Sequence, residues 1–163
     1  MNPDNQDRPS NEDSVIQGTV EKKTDTLPPS TGETDRDWKG DRLTHKVIEA
    51  IIRVHQTLGP GFVECIYRNA LLVELRCQGL SAEIERRASV RYRDVVVGIH
   101  RSDIVVEGSL MVEVKTVSDL AQVHYAQTRS CLKAMGLGRA LLVNFSKSMA
   151  DFRRIDLRLP EER

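Results

Sequence analysis

The sequence predicts an α/β fold in which helices cover a mixed β-sheet. Two amphipathic helical patterns follow each other after residue 41, and several short β-branched segments come next. A third helical pattern separates these segments from a final apolar run. The predicted order is α-α-β-β-β-β-α-β-β: an N-terminal helical hairpin, a four-stranded mixed sheet, a crossover helix and a further strand. The length of 163 residues leaves room for one domain and a tail.

The N-terminal segment differs from the rest in composition. Residues 1–40 are rich in Asp, Asn, Thr, Ser and Pro, show no hydrophobic period, and carry 9 acidic and 5 basic side chains. Such a segment buries too little apolar surface to offset the entropy of ordering. We therefore expect a disordered acidic tail over 1–40 and a single domain over 41–160.

Two amphipathic helices open the domain. The first is predicted to end at Gly59-Pro60-Gly61, and the second to run over residues 62–78 and to end at Gly79. The apolar stripe of the first helix comprises Leu43, Val47, Ile51, Val54 and Leu58, and that of the second comprises Phe62, Ile66, Ala70, Val73 and Cys77.

Short strands and one crossover helix follow. Asp119 is predicted to cap a helix over 120–135 that Gly136 and Gly138 close. The apolar run 140–145 fits a buried parallel strand reached through that helix. The remaining strands are predicted over 82–92, 95–99, 103–107, 110–117 and, at an edge, 152–157.

Three charged residues interrupt the apolar arms of the hairpin formed by the strands 103–107 and 110–117. A three-residue loop at Glu107-Gly108-Ser109 places Asp103 opposite Glu113, and Lys115 shares their face. A register slip of one residue would separate the two carboxylates. Charge in a buried strand is costly without a partner, and a hard divalent cation relieves the repulsion between two carboxylates. The pattern therefore indicates a metal-dependent hydrolytic site.

These residues resemble a known family. Asp103 followed by Glu113-Val114-Lys115, between a helix with a Glu and a helix with a Gln, is similar to the PD-(D/E)XK nuclease superfamily with its restriction-endonuclease-like core. Residues 61–67, Gly-Phe-Val-Glu-Cys-Ile-Tyr, match the Gly-x-x-Glu-x-x-Tyr signature of the GxxExxY family. Gln127 and the strand 141–145 extend the similarity, which covers about residues 41–157.

The resemblance implies a metal site for Mg²⁺ or Mn²⁺. Asp103 and Glu113 would bind the ion, with the Val114 carbonyl as a further oxygen ligand. Glu64 would help to hold the ion, directly or through water.

The resemblance also implies roles around the metal. Lys115 would orient the attacking water, and Gln127 would position the substrate or the lysine. Tyr67 would be structural or face the substrate. Two positions depart from the family pattern, because Cys131 stands where a Tyr is frequent and Ser102 where a Pro precedes the Asp. Neither change removes a metal ligand.

The arginine content permits a polyanionic partner, although charge alone favours an ordinary solvated surface. Residues 41–163 carry 19 basic and 15 acidic side chains, and 15 of the basic ones are Arg, which suits bidentate phosphate contacts. Because aromatic residues make up only 4% of the chain, contacts to nucleic acid should go mainly to the backbone. The candidate contacts, all weak ones, are Arg86, Arg87, Arg91, Arg93 and Tyr67; the arginines equally fit a solvated strand face.

Cysteine usage and hydropathy bear on location. Cys65, Cys77 and Cys131 are widely spaced without a Cys-x-x-Cys pair, which fits a reducing compartment and disfavours zinc or iron–sulfur ligation. We expect Cys65 and Cys77 to be buried in helix packing. No apolar stretch has the length of a membrane span, and the polar N-terminus is unlike a signal peptide, so the sequence favours a cytoplasmic protein without membrane contact.

The function expected from these features is that of a Mg²⁺-dependent nuclease, with DNA as substrate by family analogy. One alternative is a catalytically silent nucleic-acid-binding or accessory module that keeps the nuclease fold. Another is a structural partner in which the acidic hairpin is an ion network, with Asp103 paired to an Arg such as Arg101. Pairing into a homodimer stays open.

Overall fold

The computed structural model describes residues 41–158, which form three helices and seven strands. The predicted tail over 1–40 lies outside the described residues. The predicted strand 82–92 is divided in two, because Glu85 has a positive φ of 54° and interrupts it. The elements are α1 (Arg42–Leu58), α2 (Glu64–Cys77), β1 (Ala82–Ile84), β2 (Arg87–Tyr92), β3 (Val95–Arg101), β4 (Ile104–Val106), β5 (Leu110–Lys115), α3 (Gln122–Met135), β6 (Arg139–Asn144) and β7 (Asp151–Asp156).

The main sheet has five strands in the order β1-β4-β5-β6-β7. β5 and β6 are parallel and are joined through α3, whereas the other neighbours are antiparallel. The mixed α/β fold, the parallel strand after the crossover helix and the edge strand β7 are therefore confirmed. The predicted four-strand count is corrected, because β2 and β3 leave the main sheet and form a separate hairpin.

Helices α1 and α2 cover one face of the main sheet. Val47, Ile51 and Val54 of α1 are buried there, and Leu43 and Leu58 pack at the margin, so the stripe predicted for α1 is confirmed. Asp41 caps the helix, since its Oδ1 accepts from the Thr44 amide at 3.1 Å. From the sheet, β4, β5 and β6 supply the apolar side chains of this core.

The stripe predicted for α2 was wrong. The buried residues of α2 are Tyr67, Leu71 and Leu75. The predicted stripe is largely exposed, with Phe62 at 44% and Val73 at 61%. The predicted and the observed stripes are offset by about one residue. The observed stripe is favoured because the hydroxyl of Tyr67 finds hydrogen-bond partners when the side chain is buried. Cys65 and Cys77 are exposed as well, which corrects the expectation that both are packed.

Tyr67 fixes the connection between α1 and α2. Its hydroxyl donates to the Gly59 carbonyl at 2.6 Å and accepts from the Phe62 amide at 3.2 Å. Its ring stacks on Phe145 of the sheet, with centroids 4.5 Å apart. These contacts hold the first turn of α2, and thus Glu64, at a defined position relative to the sheet.

Helix α3 covers the opposite face, with Cys131 and Leu132 packed on Val105 and Met111. The capping role predicted for Asp119 was wrong. Ala121 is the N-cap residue, and the Asp119 carboxylate instead accepts from Lys147 Nζ at 2.8 Å. The predicted stop at Gly136 is confirmed by its left-handed φ of 66°.

The β2–β3 hairpin packs on the outer side of α3. Its turn lies at Arg93-Asp94, where Arg93 has a φ of 53°, and the ladder is irregular between Val90 and Arg91. The side chains of Val95, Val97 and Ile99 are more than half exposed. The hairpin continues the β1–β4 pair, since the Glu85 amide donates to the Asp103 carbonyl at 3.1 Å and the Ser102 amide to the Arg86 carbonyl at 3.0 Å.

Candidate active site

The register of the β4–β5 hairpin brings the two predicted carboxylates together. Ile104 pairs with Val112 and Val106 with Leu110, which leaves a three-residue loop and extends the ladder to Asp103 and Glu113. Asp103 Oδ2 accepts a hydrogen bond from the Val114 amide at 2.8 Å. The predicted register is confirmed, and the Asp103 carboxylate is held against the strand that carries Glu113.

Glu113 and Lys115 form a close pair on β5. Lys115 Nζ donates to Glu113 Oε1 at 2.8 Å, and each side chain is only 15% exposed. The other oxygen, Glu113 Oε2, is buried without a hydrogen-bond partner among the described residues. A buried carboxylate oxygen in this state is costly unless a ligand satisfies it.

Burial and neighbouring charge disturb the ionisation of this pair. Burial, followed by the negative charge of Asp103, raises the pKa of Glu113 above its ordinary value despite the nearby ammonium. Burial disfavours the charged form of Lys115, but the Glu113 carboxylate outweighs it and raises the pKa of the lysine. The protonated lysine is thus stabilised, and the acidic side chains retain an excess of negative charge that attracts cations.

Glu64 reaches the same place from the other face of the sheet. It is the first residue of α2, and its Oε1 accepts from the Thr116 amide, just beyond β5, at 3.3 Å. Its charge acts on both Glu113 and Lys115. The four predicted residues Glu64, Asp103, Glu113 and Lys115 therefore converge at the C-terminal end of β5.

Arg68 also belongs to this cluster, and sequence reasoning missed it. Its Nη1 lies 3.6 Å from Asp103 Oδ1 and 3.1 Å from Glu85 Oε1. The arginine partner of Asp103 is thus Arg68 of α2, rather than the Arg101 considered from the sequence. The only available signal was its position one helical turn after Glu64, on the same side of α2.

The donor set fits a hard cation held by few protein ligands. The part of the chain that the structure describes contains no group of three or more His, Cys, Asp and Glu side chains placed to hold a metal. Magnesium, however, is commonly bound by one or two carboxylates together with water and phosphate oxygens. Asp103 and Glu113, with the unpartnered Oε2, meet that requirement. Glu64 presents one carboxylate oxygen to the Thr116 amide, and its contact with the metal, directly or through water, stays a prediction.

Val114 contributes to the site through its main chain. Its amide holds Asp103, and its side chain is buried in the core on the opposite face of the sheet. Metal contact by its carbonyl oxygen stays a prediction.

Gln127 lies on α3 and is exposed. Its side chain makes no hydrogen bond within residues 41–158. It precedes Cys131 by one helical turn, and burial together with the charges of Glu113 and Asp103 raises the pKa of the Cys131 thiol to about 11. Because i and i+4 share a helix face, Gln127 shares the α3 face that carries Cys131 towards the cluster. Its contact with substrate or with Lys115 stays a prediction.

The candidate nucleic-acid contacts separate into two groups. Tyr67 is completely buried, so its weak assignment to nucleic acid was wrong and its role is structural. The four arginines lie on or beside the β2–β3 hairpin, and within the described residues none pairs with a carboxylate. Arg91 Nη1 donates to the Asp94 carbonyl at 3.1 Å, and Arg93 lies 5.7 Å from the centre of the Tyr92 ring.

Fold and site together define a restriction-endonuclease-like protein with an acidic hairpin and a lysine at the end of its central strands. The family model of the PD-(D/E)XK nuclease superfamily matches residues 41–155, and the chain belongs to this superfamily. The comparison with curated proteins gives no match. The crystal structure of SSO0001 is similar over 71% of this chain and 67% of that chain, with a TM-score of 0.41 and 17% identity. None of the helices within residues 41–158 has the length and hydrophobicity to cross a membrane.

Proposed function

We propose that the protein is a nuclease that uses a divalent metal to hydrolyse phosphodiester bonds, with DNA as its substrate. Membership of the superfamily supports nuclease activity in general. The observation that carries the proposal is the close arrangement of Asp103, Glu113 and Lys115, in which one buried carboxylate oxygen has no hydrogen-bond partner among the described residues. Cysteine usage also supports a cytoplasmic location for this activity.

We further assign the chain to the GxxExxY group. The three signature residues have separate structural tasks that support the assignment. Gly61 has a φ of 115° in the connection between α1 and α2, a conformation that favours glycine. Glu64 begins α2 beside the cluster, and Tyr67 anchors the connection through Gly59.

Mg²⁺ or Mn²⁺ would be held by Asp103 and Glu113, with the Val114 carbonyl as a further ligand and Glu64 acting through water. The ion would supply an acidified water and would neutralise charge that develops on the phosphate.

The side chains of the protein supply the remaining functions. The ammonium of Lys115, fixed by Glu113, offers donors to the attacking water and to a phosphate oxygen. Arg68 restrains Asp103 from the side of α2. Gln127, on the exposed face of α3, would contact the substrate strand.

The direct test is a cleavage assay on single- and double-stranded DNA with Mg²⁺ or Mn²⁺. We expect Asp103→Ala, Glu113→Ala and Lys115→Ala to abolish cleavage. Glu83→Ala and Lys46→Ala, at exposed positions of β1 and α1, are the matched controls and should cleave like the wild type. Cleavage by the three site variants at the wild-type rate would refute the assigned roles.

A catalytically silent nucleic-acid-binding module is the second candidate. One observation favours it: Lys115 and Arg68 accompany the two carboxylates as ion-pair partners. The chain would then bind DNA in a salt-sensitive manner. It would not cleave DNA in the presence of any divalent metal. Calorimetric titration with Mg²⁺ and Mn²⁺ separates the candidates further. Heat of metal binding in the wild type that is absent in Glu113→Gln supports the nuclease.

A further inference from the structure

A cavity lies between the β2–β3 hairpin and α3, outside the acidic cluster. Its volume is about 350 Å³. The hairpin forms one wall and the C-terminal half of α3 forms the other. The lining residues are Ser89, Val90, Arg91, His100, Ser130, Lys133 and Ala134.

The polar lining consists of hydrogen-bond donors and basic groups, and no carboxylate from residues 41–158 lines the cavity. Arg91 and Lys133 make no ion pair within the described part of the chain. Arg91 uses one Nη1 donor on the Asp94 carbonyl, which leaves the rest of its guanidinium for a ligand. The hydroxyls of Ser89 and Ser130 add neutral donors. Such a set is complementary to an anion with several acceptor oxygens, of which phosphate is the best match.

The cavity continues the helix face that carries Gln127. Gln127, Ser130 and Ala134 are spaced i, i+3 and i+7, so they share one stripe of α3. Lys133 lies six residues after Gln127, which corresponds to about 9 Å along the helix axis. Gln127 thus shares a helix face with two of the residues that line the cavity, Ser130 and Ala134.

We propose that this cavity binds a backbone phosphate of the nucleic-acid strand, away from the bond that is cleaved. The proposal rests on the proposed nuclease function and extends it. Arg91 and Lys133 hold the phosphate oxygens, and the serine hydroxyls complete the contact. The cavity thereby sets the course of the strand across α3, without reading its sequence.

Binding measured without cleavage provides the test. Fluorescence anisotropy with labelled single- and double-stranded oligonucleotides is recorded in EDTA over a series of salt concentrations. For Arg91→Ala and Lys133→Ala we expect about three- to tenfold weaker binding at low salt, and on the duplex a slope of log affinity against log salt reduced by about one. Lys133→Arg should restore most of the affinity. Arg42→Ala and Lys46→Ala, exposed on α1, are the matched controls and should keep the wild-type slope.

Two further measurements separate this proposal from its premise. Cleavage of bis(p-nitrophenyl) phosphate, which is too small to reach both places, should be unchanged in Arg91→Ala and Lys133→Ala. Loss of that cleavage in Asp103→Ala tests the nuclease independently. Wild-type affinity and slope in both cavity variants would overturn the phosphate contact. Altered binding of inorganic phosphate with unaltered DNA binding would overturn the assignment to a nucleic-acid strand.

Discussion

Glu113 and Lys115 lie two residues apart on the same face of β5, joined by a 2.8 Å hydrogen bond from Lys115 Nζ to Glu113 Oε1. Among residues 41–158, the pair leaves Glu113 Oε2 buried without a hydrogen-bond partner. Asp103 adds a second carboxylate, and its arginine partner, Arg68, also pairs with Glu85. A buried carboxylate oxygen without a partner is costly, so we expect the stability of the fold to rise when a cation binds at this site.

Glu113→Gln should raise the stability of the metal-free protein. The pKa of Glu113 is raised above the ordinary value of 4.5, first by burial and then by Asp103. An acid with a raised pKa stabilises the fold most below its unfolded pKa, and that contribution is lost as the pH rises through the folded pKa. At pH 7 the carboxylate is therefore destabilising, and a neutral amide relieves the cost. Thermal melting in EDTA at pH 7 measures the effect.

The same variant should lose stabilisation by metal. Mg²⁺ at 100 times its dissociation constant adds about 2.7 kcal/mol to a protein that binds it only when folded. We expect a rise in the wild-type melting temperature with Mg²⁺ and none in Glu113→Gln. Glu83→Gln, at an exposed position of β1, is the control and should follow the wild type in both conditions. Equal metal-induced shifts in wild type and Glu113→Gln would contradict the metal role of Glu113.

Glu64→Gln should slow DNA cleavage by about 10- to 100-fold, the range typical of groups that support metal ligands. The amide oxygen of glutamine can still accept from Thr116, so the first turn of α2 should keep its position. The loss should be smaller than in Asp103→Asn, and the melting temperature should be close to that of the wild type. Glu49→Gln on α1 is the matched control. Cleavage at the wild-type rate in Glu64→Gln would exclude Glu64 from the site.

The three thiols should differ in reactivity. Burial, followed by the charges of Glu113 and Asp103, raises the pKa of Cys131 to about 11, whereas Cys65 and Cys77 are exposed. Because the thiolate is the reactive form, iodoacetamide at pH 8 should modify Cys65 and Cys77 in the folded protein and spare Cys131. Mass spectrometry counts the adducts, and denatured protein should show three. Rapid modification of Cys131 in the folded chain would place it outside the buried face of α3.

The acidic hairpin could be predicted from the sequence because its geometry is local. A three-residue loop fixes the register, and strand alternation then places Asp103, Glu113 and Lys115 on one face. Glu64 came from a motif rather than from its environment. The contact of Glu64 with the end of β5 depends on how α2 is anchored to the sheet, and no local sequence pattern encodes that anchoring.

Non-local contacts explain the predictions that were wrong. Helix α2 carries two apolar stripes one residue apart, and the choice depends on whether the Tyr67 hydroxyl finds the Gly59 carbonyl. Asp119 was a plausible cap, but Lys147, 28 residues away, binds its carboxylate. Arg68 gains its role only when α2 meets β4 and Glu85. The contacts of Asp119 and Arg68 join residues distant in sequence, and that of Tyr67 spans the connection between two helices.

Tyr67→Phe should destabilise the domain by about 1–3 kcal/mol. The variant keeps the ring that stacks on Phe145 but leaves the Gly59 carbonyl and the Phe62 amide without their partner. Urea unfolding at neutral pH measures the change. Tyr92→Phe is the control, since Tyr92 is 67% exposed and should tolerate the loss of its hydroxyl. Equal stability of both variants would show that the hydroxyl does not hold the connection between α1 and α2.

Asp41 should make the domain sensitive to acid. Its carboxylate accepts from the Thr44 amide at 3.1 Å and pairs with Arg139, which also donates to Asp156 at 2.8 Å. Burial opposes its ionisation, but the hydrogen bonds from Thr44 and the charge of Arg139 outweigh it and hold the pKa of Asp41 below its ordinary value of 3.8. A lowered pKa gives stability that is complete above the unfolded pKa and is lost as the pH falls through the folded value.

Two substitutions at Asp41 separate the helix cap from the ion pair. Asp41→Ala removes both, and the loss of the cap alone should cost about 1 kcal/mol. Asp41→Asn keeps a good capping side chain and removes the charge, so at pH 7 its stability should lie between those of Asp41→Ala and the wild type. Urea unfolding at pH 7 and below pH 3.8 compares the three proteins, and the advantage of the wild type over Asp41→Asn should shrink in acid. If that advantage is the same at both pH values, the charge of Asp41 contributes nothing and only the cap stabilises α1.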